Sequence, residues 1–163
     1  MLPVIYEVVT IGTGKLSVMA MPVGDNRIGE EIAGLRQLGI DHVVSLLEVE
    51  EQSEVGLEDE EVLCIQNGIR YTSFPITDRD VPQKVDALAL AVRLNRDISN
   101  GDHVVIHCRA GIGRTGIIAS AVLIQAGYSS GEAIHMVSFA RGSLVPDTRE
   151  QINWIKSFER LDA

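Results

Sequence analysis

The stretch "VVIHCRAGIGRTGIIASAV" (residues 104–122) joins two apolar runs through a short break of glycines and arginines. The first run, "HVVIH", is short and β-branched, which predicts a buried strand. The second, "TGIIASAVLIQAG", is apolar on every side and predicts a helix surrounded by protein. α/β folds place anion sites where a strand feeds a helix in this way.

The break also carries one of the chain's two cysteines. Five residues, Arg109, Ala110, Gly111, Ile112 and Gly113, separate Cys108 from Arg114. Glycines let a backbone take unusual φ values and turn its N–H groups inward, which makes a nest for an anion. The following helix adds its positive N-terminus. A cysteine so placed, near an arginine, is favoured as a nucleophilic thiolate. Arg114 offers a planar fork for two oxygens of a phosphoryl group, and Thr115 can donate a hydrogen bond to the sulfur. His107 reads as a residue that orders the loop by hydrogen bonding, or as a base. A cysteine that merely ends a strand as a small hydrophobe would leave the glycines and Arg114 unexplained. "GTGK" at 12–15 lacks the spacing of a P-loop nucleotide site.

"HCRAGIGRTG" resembles the signature loop of the cysteine-based protein tyrosine phosphatases, His-Cys-x5-Arg-Ser/Thr-Gly, and its position two-thirds along the chain resembles the dual-specificity branch. The resemblance extends more weakly from about Gly24 to the C-terminus. It implies a metal-independent phosphomonoesterase with no cofactor, working through a phosphocysteine. It also implies a general acid about thirty residues before the cysteine, in a loop after a strand. "FPITDRDVP" looks like that loop and holds Asp78 and Asp80, with Asp78 in the matching place; an Asx-turn with neither aspartate catalytic is the plain alternative. Gln151 resembles a glutamine that positions the water in some members, although Thr148-x-x-Gln151 is a capping box in its own right. Cys64 could pair with Cys108 on oxidation, as in parts of the superfamily, or be a core residue. The chain lacks room for the long segment that deepens the pocket of tyrosine-specific relatives. The resemblance therefore implies a phosphorylated protein or peptide substrate, with phosphotyrosine and phosphoserine/threonine both accepted. The alternatives are a phosphoinositide or other non-protein phosphate ester, favoured less with Ile112 where lysine often stands, and a silent phospho-binding module.

Around this motif, strands alternate with helices. "IYEVVTI" and "KLSVMAM" predict a hairpin about "GTGK"; "DHVVSLL" and "RYTSFPI" predict further strands. "GEEIAGLRQLGI" and "EEVLCIQNGI" read as helices. Residues 83–99 place Leu88, Ala91, Leu94 and Ile98 on one helical face. "SSGEAIHMVSFARG" opens with a Ser129-x-x-Glu132 capping box and closes at Gly142. A last helix from about Asp147 aligns Ile152, Ile155 and Phe158. The expectation is one α/β domain over residues 1–163, with a short, mostly parallel central sheet flanked by helices.

Of 163 residues, 45% are hydrophobic and 23% charged, which suits a globular domain. Two cysteines 44 positions apart exclude a disulfide framework or a Cys-rich zinc site and suit a reduced, cytoplasmic setting. His42, His103 and His135 lack metal-ligand spacing and read as structural, so no metal is expected. Residues 47–61 hold eight acidic and no basic residues of a chain whose net charge is −9. This run reads as the solvated face of a helix or loop. It disfavours nucleic acid and anionic membranes as partners. The opening "MLPVIYEVVTIG" has no basic flank and meets Glu7 early, unlike a signal peptide. Arg79 and Arg109 could contact substrate or stand solvated. The natural substrate and the oligomeric state are not legible.

Overall fold

The computed structural model describes residues 2–158 and 160. The expected hairpin forms from β1 (Tyr6–Ile11) and β2 (Gly14–Met19), paired antiparallel. Every other pairing is parallel. β5 (His103–His107) lies between β2 and β3 (His42–Ser45), and β4 (Arg70–Ser73) closes the far edge, giving the order β1-β2-β5-β3-β4. β3 and β5 are buried at every position, which explains their unbroken apolar and β-branched composition.

Helices cover both faces. α4 (Lys84–Ser99), α5 (Gly113–Gln125), α6 (Ser130–Arg141) and α7 (Arg149–Ser157) form one layer, whose core joins Leu94, Ile98, Ile117, Val122 and Trp154 to the sheet residues Leu16, Val44 and Ile106. α1 (Ile28–Gln37) and α3 (Glu60–Gln66) cover the opposite face, where Ile32, Leu35 and Cys64 pack with Val43 and Val105. The neighbours Val104 and Val105 thus serve opposite cores, as period-two alternation requires. This is the expected α/β sandwich.

All thirteen residues of α5 are buried, in keeping with its apolar circumference. The Ser129–Glu132 capping box is closed in both directions, and Gly142 ends α6 in the left-handed region at φ 73°. On α4 the buried stripe is Ala87, Leu90, Ala91, Leu94 and Ile98, so Leu88 lies at its margin. The acidic run departs most from expectation. Part of it folds as the short helix α2 (Val49–Glu54), and Glu51 and Glu60 are buried. Each is neutralised by a basic side chain of the loop that follows β5 or of that strand's end.

The parallel strands β3, β4 and β5 run the same way, so the loops after them meet beyond the strands' C-terminal ends. The loop after β3 leads into α2, that after β4 holds Asp78, and that after β5 holds Cys108. Parallel topology therefore brings together three segments distant in sequence.

Candidate active site

The segment between β5 and α5 curls with Gly111 at φ 74°, a conformation that favours glycine. A Cβ there would also lie 2.4 Å from the Met19 carbonyl oxygen, so the loop packs directly on the end of β2. The amide of Met21 donates to the carbonyl of Arg109 at 2.9 Å, and Arg141 Nη2 donates to the carbonyl of Ala110 at 3.0 Å. Ile112 is the N-cap of α5 and Gly113 its first residue. The opening turn of such a helix leaves N–H groups without intrahelical partners, facing whatever sits in the curl.

Cys108 is 3% exposed at the floor of this curl, and Thr115 Oγ1 donates to its sulfur at 3.0 Å. His107, wholly buried, lies 3.0 Å through Nδ1 from the carbonyl of Cys108 and 2.7 Å through Nε2 from Glu60 Oε2. Burial opposes its protonation, yet the Glu60 carboxylate and the bond to Cys108 carry its pKa above the usual histidine value. With both nitrogens engaged, His107 orders the loop and has no free lone pair for a proton from the thiol.

Arg114 is 2% exposed and is fixed by backbone and carboxylates together. Its Nη1 donates to Glu51 Oε2 at 2.7 Å and to the Ile76 carbonyl at 2.9 Å, and Nη2 donates to Glu51 Oε1 at 3.0 Å. Asp78 Oδ1 lies 3.3 Å from the same Nη2. Burial would raise the pKa of Glu51, but hydrogen bonds from Arg114 and the Glu48 amide, with the charges of Arg114 and Arg109, hold it below the usual carboxylate value. Arg109 donates through Nε to Glu51 at 3.2 Å and through Nη2 to Glu54 at 2.5 Å, so α2 grips both arginines of the loop.

A cavity of about 200 Å³ opens over the thiol, lined by Asp78, Arg79, Cys108, Arg109, Ala110, Gly113, Arg114 and Asp147. That volume accommodates a phosphoryl group together with part of the group that carries it. Asp78 reaches it from the loop after β4, its side chain 63% exposed. The next residue, Arg79, holds φ 64°, a strained value for a side-chain-bearing residue of the kind found at functional loops. Asp80 instead accepts from the Val81 amide at 2.8 Å and serves the turn.

Gln151 is fully buried, and its amide is heavily engaged. Its Oε1 accepts from the amides of Asp147 and Thr148 at 3.1 and 3.2 Å, and its Nε2 donates to the Asp80 carbonyl at 3.1 Å. The capping box of α7 is therefore real, and through it the helix braces the Asp78 loop. Larger hollows of about 490 and 690 Å³ lie along β4, away from the thiol.

The remaining histidines have structural partners: His42 with Thr72 Oγ1 and His103 with Ser17 Oγ, both at 2.7 Å, and His135 against the Phe139 ring. Among the described residues no group of three or more His, Cys, Asp or Glu could hold a metal ion. Cys64 packs in the core of the α1/α3 face, where burial and the charges of Glu60 and Glu61 push its thiol up to about 12.

A thiol hydrogen-bonded by a hydroxyl, an arginine fork and a row of helix-initiating amides around a phosphate-sized cavity can perform nucleophilic phosphoryl transfer. A family model described as "Polymorphic toxin system, DSP-PTPase phosphatase" matches residues 17–128, about two thirds of the chain. The chain belongs to this family. DSP-PTPases are cysteine-based phosphatases. It is 30% identical over 106 residues, 56% of its length, to the Arabidopsis thaliana phosphatidylinositol 3,4,5-trisphosphate 3-phosphatase and protein-tyrosine-phosphatase PTEN1, covering 26% of that protein. It is 26% identical over 147 residues, 87% of its length, to protein 197R of Invertebrate iridescent virus 6, a tyrosine phosphatase by name, covering 52% of it. The chain thus spans about a quarter and about half of these curated relatives.

Solved structures agree on the fold. Kinase associated phosphatase superposes with a TM-score of 0.87 at 22% identity, covering 97% of this chain and 94% of that one. The active form of Tk-PTP superposes with a TM-score of 0.75 at 26% identity, covering 94% and 96%.

Glu51, Glu60 and Asp147 were not singled out by the sequence. The charge run that contained the first two was the available signal. Nothing in it distinguishes the buried members from the solvated ones.

Proposed function

We propose that this DSP-PTPase is a protein phosphatase that hydrolyses phosphotyrosine, and phosphoserine/threonine as well, through a phosphocysteine. The observation that carries the reading is the single cavity shared by Cys108, Arg114 and Asp78, with Thr115 bonded to the sulfur. The sulfur of Cys108 attacks phosphorus, forming S–P as the P–O bond to the leaving group breaks. The loop amides of residues 109–113 and Arg114 hold the equatorial oxygens, and Asp78 gives its proton to the leaving oxygen. Water then forms the new O–P bond, the S–P bond breaks, and the water's proton goes to Asp78. Thr115 stabilises the departing thiolate. No step calls on a metal or cofactor, and the free cysteines suit a reduced, cytoplasmic setting.

A small cavity of about 200 Å³ whose acid, Asp78, stands 63% exposed at its rim supports acceptance of both kinds of phosphorylated side chain. One solved neighbour, Pseudomonas aeruginosa TpbA, is described in complex with phosphotyrosine, at 19% identity. The second reading is a phosphoinositide substrate, favoured by the name of the Arabidopsis relative. The acidic helix α2 beside the cavity weighs against an anionic lipid surface. Hydrolysis of p-nitrophenyl phosphate with inhibition by vanadate tests the phosphatase reading. Parallel rates on phosphotyrosine peptides, phosphoserine peptides and inositol-phospholipid vesicles test the substrate. A kcat/KM on vesicles tenfold above that on the peptides would overturn the protein-substrate reading.

A further inference from the structure

We infer that Asp147 is a catalytic residue of the second half-reaction, accepting a hydrogen bond from the water that hydrolyses the phosphocysteine; this rests on the phosphatase reading above. The glutamine that resembles a water-positioning residue, Gln151, is fully buried, with its carbonyl oxygen shared between two amides and its amino group given to the Asp80 carbonyl. In this position it braces the loops. Asp147 lies one turn earlier, directly before the N-cap Thr148, and is the residue of this segment that lines the cavity with Cys108, Arg114 and Asp78.

The position of Asp147 is built in two ways. Its own amide is held by Gln151 Oε1 at 3.1 Å. Its carboxylate lies against Gly113, where an added Cβ would be 2.6 Å from Asp147 Oδ2. A side chain at position 113 would displace this carboxylate from the start of α5. The side chain is otherwise exposed and takes no hydrogen bond among the described residues.

The chemistry of the group narrows its role. An ionised carboxylate is acceptor-only, so it has nothing to donate to a phosphoryl oxygen and repels the bound dianion. What it can serve in this cavity is an O–H donor, and the attacking water is that donor. Asp78, left ionised after giving its proton to the leaving group, takes the proton of the same water. Two acceptors on one water fix the direction of its lone pair toward phosphorus. Atoms balance as before: O–P forms, S–P breaks, the proton ends on Asp78, and Asp147 returns unchanged.

The test is stopped-flow release of p-nitrophenol by Asp147→Ala, with acid-quenched protein assayed for phosphate on Cys108. The expected result is a fall in steady-state kcat of about tenfold to a hundredfold. The pre-steady-state release of the first equivalent should stay within about twofold of the parent chain, and phosphocysteine should accumulate. Asp147→Asn, which keeps a carbonyl acceptor, should restore part of the loss. Equal slowing of the burst and of turnover would overturn the assignment. So would a change confined to KM, or turnover equal to the parent's with no added phosphocysteine. Undiminished hydrolysis by Cys108→Ser would instead sink the underlying mechanism, so the two failures are distinguishable.

Discussion

Glu51 holds Arg114 through both carboxylate oxygens, at 2.7 and 3.0 Å, and the same carboxylate takes the Nε of Arg109 at 3.2 Å. Of the five N–H groups of Arg114, two go to Glu51 and one to the Ile76 carbonyl. The remaining two are left for an anion in the cavity, once Asp78 yields its place at Nη2. The arginine fork is thus aimed by a glutamate 63 residues earlier in the chain, on an acidic helix whose sequence reads as surface.

Replacing Glu51 by Gln should free that fork and leave a buried guanidinium without its counter-charge. Losing one partner of a buried pair costs roughly 3–5 kcal/mol, and kcat/KM should fall by about a hundredfold through misplacement of Arg114. The lowered pKa of Glu51 gives the pH dependence its sign. Its contribution is fully present above the ordinary carboxylate value and is lost as pH falls through the depressed one. Urea melts from pH 7 down to pH 3 should show a steeper acid loss in the parent chain than in Glu51→Gln.

Asp78→Asn should lower turnover of phosphotyrosine peptides by about a hundredfold or more, and that of p-nitrophenyl phosphate by less, because nitrophenolate leaves without a proton. Asp80→Asn, whose carboxylate caps its own turn, should change either rate by no more than about threefold. Steady-state rates of the two variants on the two substrates decide which aspartate is the acid.

His107 and Glu60 form a wholly buried pair under the loop. The pKa of His107 is raised, so the stability it contributes is complete below the ordinary histidine value and is lost as pH climbs through the higher folded one. Denaturant midpoints measured from pH 6 to pH 9 should decline across that window. Glu60→Gln should be less stable throughout and should lack the decline.

Gln151→Ala removes the bond that ties α7 to the Asp80 carbonyl and the two that close the segment before the helix. Loss of the cap should cost about 1 kcal/mol, read as a lower Tm. Hydrogen exchange in residues 76–82 should quicken, and kcat should fall with little change in the binding of vanadate, since the loop holding the oxyanion is untouched.

The reach of the sequence follows from range. The strand, loop and helix of residues 103–125 are set by local pattern, and so are the two capping boxes and Gly142, so all of them appear where read. The cysteine, the arginine and Thr115 stand within eight residues of one another, and their spacing already brings them to one loop. Glu51, Glu60 and Asp147 contribute through tertiary contacts. Burial of an acidic side chain depends on a basic partner delivered by a different strand, and no local period records that. Gln151 shows the same limit from the other side: its capping pattern was visible, but its grip on the Asp78 loop, 71 residues away, was not. Leu88 fell at the edge of its helical face because α4 presents Ala87 and Leu90 more squarely to α5 and the sheet.

In the proposed reaction Cys108 carries the phosphoryl group. Acid-quenching the protein during turnover of a radiolabelled phosphotyrosine peptide, then mapping the label by peptide mass spectrometry, addresses it directly. The expected result is acid-stable phosphate on Cys108 alone, absent from Cys108→Ser, which should retain binding of the peptide and lose its hydrolysis. Label on any other side chain, or undiminished hydrolysis by Cys108→Ser, would contradict it.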